Sequence, residues 1–232
     1  MSPDLTFAHS ADRVQRLHER ISDVRDRFGK NDVDARRVNL NNITMATGAA
    51  QCTLRLLHWA RHGGEPYLVA GLGLAEPAHI SIVAKDMLRA SKLFLLLEAQ
   101  FQLEALFRSL IMAVDSEPTP NAFFRLCERI IALAGLDNEG SHVQVLNVPA
   151  LMRNSMHANG IHAGFKGADT SLMVDGVEFR FVHGAPVECG HWLHITTALM
   201  ASMAIVENIL ASATFRGIPL VPDPYAAARA VN

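Results

Sequence analysis

The stretch LMRNSMHANGIHAGFKG brings an arginine, an asparagine and a histidine together within five residues. If this stretch is helical, Arg153 and His157 lie four residues apart on one face, within reach of one phosphate, and Asn154 lies beside them. A guanidinium can bind two phosphate oxygens, an imidazole can transfer protons near neutral pH, and an amide can donate and accept hydrogen bonds. Together these residue types are sufficient for metal-free RNA cleavage, with Arg153 on the phosphate and His157 as acid or base.

The same spacing also has an interpretation without chemistry. Arg153 would then be an ion-pair arginine and His157 a capping residue, because a histidine cation near a helix C-terminus is favourable in its own right. Asn159 and Gly160 favour the left-handed conformation that ends a helix. The sequence therefore predicts a helix end inside this stretch, with His162 beyond it.

The whole string, followed by the hairpin-like segment GVEFRFVHGAPV and an apolar helix, resembles the HEPN superfamily of helical-bundle proteins. It is most similar to an uncharacterised bacterial branch that carries an R-N-x-x-H-x-N-G string at a helix end. The resemblance is most specific from Leu151 to Ile161, looser to about Leu210, and not detectable by motif before about Leu93. The residues that match the string are Arg153, Asn154, His157, Asn159 and Gly160.

This resemblance implies a helical bundle that forms a homodimer, in which two copies of the motif face one cleft. Many members are metal-independent endoribonucleases of toxin, CRISPR or antiviral systems, whereas others only bind RNA or nucleotides. It implies catalytic roles for Arg153, Asn154 and His157, RNA as a ligand, and a partner protein from a toxin-antitoxin or defence system. Nucleases of the family usually have four to six residues between the arginine and the histidine. Here Arg153 and His157 have three between them, and Arg153 and His162 have eight.

A second interpretation belongs to a different class of protein. The chain would be a non-catalytic, dimeric helical interaction module, and the Arg-Asn-His string would hold the hairpin against the bundle. Loss of Asn154 or His157 would then remove a buried hydrogen bond and lower the melting temperature.

Polar residues interrupt the most hydrophobic helix of the sequence. Glu104 and Arg108 are four residues apart in the favourable orientation, which is typical of a partly buried ion pair. The functional alternative is that such a residue points into the same cleft as the Arg-Asn-His string. We therefore include Arg108, with Asn159 and His162, among the predicted RNA-binding or cleft residues.

Two histidine pairs have the spacing that metal ligands use on one helix face. His58 and His62 are four residues apart, and His191 and His194 are three apart. Four histidines from two helices could meet in a bundle core, but no carboxylate lies beside either pair as H-E-x-x-H chemistry requires. We therefore predict no metal site and no cofactor. Without a metal, the pairs are interpreted as partly exposed histidines beside a packed tryptophan.

Composition indicates a packed, cytoplasmic protein. Half of the 232 residues are hydrophobic, and the formal charge of −2 excludes a broad basic surface, so any contact with RNA must be local. Cys52, Cys127 and Cys189 are far apart, as reduced cytosolic thiols usually are. The N-terminus turns charged too early for a secretion signal. The longest uncharged stretch near the end, CGHWLHITTALMASMAIV, is short for a bilayer span, and we expect a buried helix and no membrane.

Helix signals fill the first half of the chain. Periodic apolar residues predict a helix over Arg13–Phe28 with Ser10 as its N-cap, and a second helix over about Arg36–Arg61 that ends at the following glycines. Two prolines and two glycines predict a loop over the segment EPYLVAGLGLAEPA. A long helix over Ile80–Val114 is apolar on more than one face, as expected of a central helix.

Turn signals organise the second half. Two prolines end the central helix and start another that runs to about Ala134, where Gly135 stops it. Beyond the Arg-Asn-His helix, Asp175 and Gly176 separate two short runs of β-forming residues, which predicts a hairpin. A last helix is predicted over about His191–Thr214, where Leu199, Met203, Val206 and Leu210 would face the core or a dimer interface, and an extended or loosely ordered tail follows it.

These signals predict a mainly all-α protein, a HEPN-like helical bundle with a β-hairpin insertion between the last two helices. Residues 1–78 would form N-terminal helices and a loop packed on the bundle. Residues 79–215 would form the bundle itself, with the hairpin near 170–187, and residues 216–232 an extended tail.

Overall fold

The computed structural model describes residues 7–73, 78–136, 140–164 and 167–224. Within them lie eight α-helices and one antiparallel pair of strands. The helices are α1 (Phe7–Phe28), α2 (Ala35–Trp59), α3 (Glu65–Leu72), α4 (Ala78–Val114), α5 (Phe123–Ala134), α6 (Ser141–His157), α7 (Trp192–Ala211) and α8 (Ala213–Arg216); the strands are β1 (Thr170–Val174) and β2 (Val177–Phe181). The predicted fold class is confirmed, since a hairpin separates the last two long helices of a mainly helical chain.

The first helix begins earlier than its sequence signals indicate. Ser10 was predicted to cap α1 from outside, but it lies in the first turns and is buried with Ala11. Packing explains the difference. The buried apolar face of α1 contains Val14, Leu17, Ile21 and Val24, and it extends back to Ala11. Tertiary burial outweighs the local capping preference of a serine here.

The segment predicted as a loop contains a helix. Residues 60–64 form a π-helical turn after α2, and α3 continues over Glu65–Leu72. Pro66 is the second residue of α3 and lies directly after the π-helical turn. The prediction of a loop is therefore wrong for this part, and residues 74–77 of the same segment lie outside the described residues.

One hydrophobic core joins the N-terminal helices to the others. It contains buried side chains from α1, α2, α4, α5, α6, the hairpin and α7. The predicted central position of α4 is confirmed, because it contacts α2, α5, α6 and α7. Its second half is buried at positions such as Leu96 and Leu103, whereas Ile82 in its first half is 57% exposed.

The predicted hairpin is present, with a tight turn of two residues. Asp175 and Gly176 have φ values of 47° and 77°, as a two-residue hairpin turn with both central residues left-handed requires. The register pairs Val174 with Val177 at the turn and Thr170 with Phe181 at the open end. Phe179 and Phe181 point into the core.

The last long helix, α7, is apolar along most of its length. By length and composition alone it could cross a membrane. However, 61% of its 18-residue apolar stretch is buried inside the fold, as in the core helix of a soluble protein. The four residues predicted to face the core or an interface are buried there; they are Leu199, Met203, Val206 and Leu210.

Part of the predicted loosely ordered tail is tied to the start of α2. The carbonyl of Val221 accepts a hydrogen bond from the Ala35 amide at 2.9 Å, and Val221 is buried. Arg36 Nη1 donates to the Ile218 carbonyl at 3.2 Å. Residues 225–232 lie outside the described part of the chain.

Candidate functional site at the end of α6

The helix end predicted inside the Arg-Asn-His stretch is confirmed. The amide of Gly160 donates to the carbonyl of Ser155 at 2.8 Å, and Asn159 and Gly160 have φ values of 56° and 83°. This six-to-one hydrogen bond with a left-handed Asn before it is a Schellman motif, which satisfies carbonyls that the helix leaves open. The helix persists through His157, so Arg153 and His157 are four residues apart on α6, as the predicted site requires.

Backbone hydrogen bonds fasten this helix end to the chain that leaves the hairpin. The His162 amide donates to the Ala185 carbonyl at 3.0 Å, and the Gly184 amide donates to the His162 carbonyl at 2.8 Å. The Val187 amide also donates to the Gly160 carbonyl at 2.8 Å. The position of α6 relative to the hairpin is therefore held by main-chain groups.

Two side chains of the stretch are committed to this junction. Ser155 is 1% exposed and donates to the Leu151 carbonyl, and its Oγ lies 3.4 Å from Nδ1 of His162. His162 is 4% exposed and its ring packs against Phe181 with centroids 5.3 Å apart. Burial, and then the nearby His183, lower the pKa of His162. This environment favours a structural role for neutral His162 over the predicted place at an RNA-binding cleft.

The Arg-Asn-His side chains, in contrast, form no hydrogen bond with any other residue of the described part of the chain. Arg153 donates through Nε and Nη2 to Oδ1 of its neighbour Asn154, at 3.0 and 2.7 Å. Asn154 and His157 are exposed, and no described residue forms a hydrogen bond with the His157 ring. The Nη1 group of Arg153 likewise has no partner among the described residues. These donors and acceptors are available for a ligand.

A cavity of about 310 Å³ lies beside this end of α6. Met152, Ser155 and Met156 of α6 line it, on the face adjacent to the Arg153–His157 face, together with Asn159 just after the helix. Arg89 of α4 also lines the cavity, is exposed, and has no polar partner among the described residues. The cavity thus combines apolar and polar side chains with an arginine that has no described partner.

Two members of this cavity were not anticipated from the sequence. Arg89 lies on α4 more than sixty residues before the motif, and no local pattern around it signals a ligand. Cys189 lines the cavity from the segment after the hairpin, but burial raises its pKa to about 11. A thiol with that pKa is protonated near neutral pH, so Cys189 is not a nucleophile here.

Arg108 has partners in the connection between α4 and α5. Its Nη2 forms an ion pair with Glu104 at 2.7 Å and also donates to the Asn121 carbonyl, and its Nη1 donates to the Pro120 carbonyl. The interpretation as a partly buried ion pair is confirmed. These contacts favour a structural role in closing the loop, and a role of Arg108 in RNA binding stays a prediction.

The two histidine pairs do not form one cluster. The rings of His58 and His62 have centroids 4.4 Å apart, and those of His191 and His194 are 6.0 Å apart. Among the described residues, no three metal-binding side chains come together. His194 instead packs edge-on against Phe179, and burial followed by the nearby His191 lowers its pKa.

The chain matches no protein-family model, no curated protein and no solved structure. The assignment of a function therefore depends on the residues and the geometry described above.

Proposed function

We propose that this chain is a HEPN-like RNA-binding protein that cleaves RNA at the end of α6 without a metal ion or cofactor. One observation carries the proposal: within a single stretch, Ser155 and His162 are buried in structural contacts, whereas Arg153, Asn154 and His157 are free of them. Side chains with a structural role are expected to have partners in the fold, because buried polar groups need hydrogen bonds. The Arg-Asn-His string has such bonds only within itself.

Each residue of the string has a defined role in this proposal. Arg153 binds a phosphate of the RNA through its guanidinium, and Asn154 orients that guanidinium through the two hydrogen bonds to its Oδ1. His157 transfers the proton, as an acid or a base. A base takes the proton of a ribose 2′-hydroxyl, the 2′-oxygen bonds to phosphorus, and the bond from phosphorus to the 5′-oxygen breaks. An acid then protonates that 5′-oxygen. The products are a 2′,3′-cyclic phosphate and a 5′-hydroxyl.

A homodimer is part of the proposal, because the reaction needs both an acid and a base and one copy offers one exposed histidine in the string. The surface of α4 supports association. Phe94 and Phe101 lie one heptad apart on this helix and are 50% and 53% exposed. Large apolar side chains that are exposed near one another mark interaction surfaces more often than single exposed apolar side chains do.

The net charge of −2 fits a protein that contacts RNA at one place only. Arg153 and Arg89 provide unpaired cations on adjoining faces at this end of the molecule. We place the protein in the cytoplasm, in a bacterial defence or toxin-type system, where a partner protein from a toxin-antitoxin pair would control it.

RNA binding provides the test. Fluorescence anisotropy with a labelled single-stranded RNA should show saturable binding by the wild-type chain and a loss of affinity of about tenfold in Arg153→Ala, since a charge-assisted hydrogen bond contributes about 1.5 to 3 kcal/mol. Arg216→Ala is the matched control, because Arg216 is an exposed arginine on α8. Equal affinities for all three proteins, or no binding, would contradict the proposal.

The second candidate is the non-catalytic, dimeric helical interaction module, and the exposed phenylalanines of α4 are the observation that favours it. It shares the dimer with the first proposal but assigns no chemistry to the string. If the Arg-Asn-His string of this module holds the hairpin against the bundle, Asn154→Ala or His157→Ala should lower the melting temperature. The hydrogen bonds at the junction give no support to this role of the string, since they come from the backbone and from Ser155 and His162.

A further inference from the structure

The seam between α1 and α7 has an uneven distribution of charge. Glu207 is the only charged residue of α7, and it pairs with both Arg20 and Arg27 near one end of the seam. At the other end, near the start of α7, α1 presents Arg13 and Arg16, and neither forms an ion pair with a carboxylate among the described residues.

Hydroxyl groups hold Arg13 in place without neutralising it. Its Nε donates to Oγ1 of Thr196 and its Nη2 donates to Oγ1 of Thr197, both at 3.1 Å. Arg16 is exposed and forms no hydrogen bond or ion pair with a described residue. Burial, and then the nearby Arg16 cation, lower the pKa of Arg13. The two guanidiniums therefore repel each other, and an anion between them would relieve that repulsion.

These two arginines line a cavity of about 340 Å³ together with Thr196, Thr197 and the turn residue Asp175. A cavity of this size lies in the range of small-molecule sites and has room for more than an inorganic ion. The cavity is separate from the one beside α6, and the two have no lining residue in common.

We propose that Arg13 and Arg16 form a binding site for a phosphate ester between α1 and the start of α7. Guanidinium groups match phosphate oxygens with paired hydrogen bonds, and two of them balance the charge of a phosphate monoester. The remaining cavity accommodates the organic group that the phosphate carries. The phosphate comes from a free nucleotide or from an RNA strand, and the chemistry of recognition is the same for both.

Asp175 adds a negative charge beside the two arginines. Asp175 also lines this cavity, and no ion pair joins it to either arginine. A negative charge at this position repels an incoming phosphate. Asp175→Asn should therefore tighten binding, and the fold should tolerate it because asparagine accepts the left-handed turn conformation that Asp175 adopts.

Titration calorimetry with inorganic phosphate, AMP and a short single-stranded RNA tests the site. We expect AMP or the RNA to bind more tightly than inorganic phosphate. Arg16→Gln should weaken binding of the better ligand about tenfold, and Asp175→Asn should strengthen it about threefold. Arg27→Gln is the matched control, because it removes the same charge from the same helix at a residue that pairs with Glu207. Arg16 has no hydrogen-bond or ion-pair partner in the described part of the chain, so Arg16→Gln should keep the circular dichroism spectrum and melting temperature of the wild type.

The outcomes separate this site from the one on α6. Tight binding of AMP identifies a free nucleotide as the source of the phosphate, and tight binding of RNA with weak binding of AMP identifies a strand; both support the site. Binding that survives Arg153→Ala also supports it. No binding of any probe at millimolar concentration, equal weakening by Arg16→Gln and Arg27→Gln, or a loss confined to Arg153→Ala would overturn it.

Discussion

The Nδ1 atom of His162 lies 3.4 Å from the Oγ atom of Ser155, inside the junction between α6 and the chain after the hairpin. The other histidine of the same stretch, His157, stands exposed on the last turn of α6. Only four residues lie between these two histidines, which have opposite environments. The division indicates which one stabilises the fold and which one is free for chemistry.

The first prediction concerns the stabilities of these two histidine variants. His162→Ala removes a buried ring that packs against Phe181 and should lower the free energy of unfolding by about 2 to 3 kcal/mol. His157→Ala removes an exposed ring and should change it by less than about 0.5 kcal/mol. Urea denaturation followed by circular dichroism measures both. A larger loss for His157→Ala than for His162→Ala would contradict the assignment.

The second prediction concerns acid stability. Burial lowers the pKa of both His162 and His194 below the ordinary value of 6.5, so the folded state binds protons less readily than the unfolded chain. Their contribution to stability is therefore complete above pH 6.5, declines as the pH falls below it, and is lost at the lower folded pKa values. Urea midpoints measured from pH 8 to pH 5 should fall in the acid part of this range. His162→Gln should flatten that fall, and an unchanged slope in the variant would argue against a buried neutral His162.

The third prediction concerns the close approach of α1 and α2. A Cβ atom on Gly29 would lie 2.6 Å from Cβ of Arg37 and 2.8 Å from the Arg25 carbonyl oxygen. Gly29→Ala should therefore destabilise the protein by about 1 to 3 kcal/mol. Gly217→Ala is the control, because its backbone is right-handed helical with open space around it, and it should stabilise by about 0.4 to 1 kcal/mol. Melting temperatures that move in the same direction for both variants would refute this account of the contact.

The fourth prediction concerns the buried ion pair at the start of α2. Asp34 Oδ2 lies 2.6 Å from Nη2 of Arg36, both side chains are almost fully buried, and Oδ1 of Asp34 caps the helix through the Arg36 amide. Arg36→Ala leaves a buried carboxylate without its partner and should cost about 3 to 5 kcal/mol. The exposed pair of Arg55 and Asp12 is the control, and Arg55→Ala should cost less than about 1 kcal/mol. Similar losses of unfolding free energy for the two variants would contradict a special role for the buried pair.

Features set by neighbouring residues were predictable from the sequence. The Asn159–Gly160 helix stop and the Asp175–Gly176 turn both depend on left-handed conformations that few residue types adopt, and both are present. The periodic apolar residues of α1 and α4 likewise placed these helices. Of these two helices, α1 begins earlier than predicted, because its first turns are held by packing.

Features that need contacts distant in sequence were not predictable. Helix α3 follows a π-helical turn in a segment rich in glycine and proline, where local propensity argues against it. Arg89 meets the end of α6, and Arg13 meets Thr196 more than 180 residues away, only through the packing of long helices. At the candidate site, sequence placed Arg153 and His157 on one helical face. The burial of His162 depends on Phe181 and the chain after the hairpin, which no local pattern reveals.

The most direct measurement for the proposed function is RNA cleavage in the presence of EDTA. Purified wild-type protein should convert labelled single-stranded RNA into products with 2′,3′-cyclic phosphate ends, with a bell-shaped dependence of rate on pH. His157→Ala should lower the rate by a factor of about 10² or more, whereas His79→Ala, which removes an exposed histidine from α4, should match the wild type. Equal RNA loss for wild type, His157→Ala and His79→Ala, or cleavage that EDTA abolishes, would contradict the account.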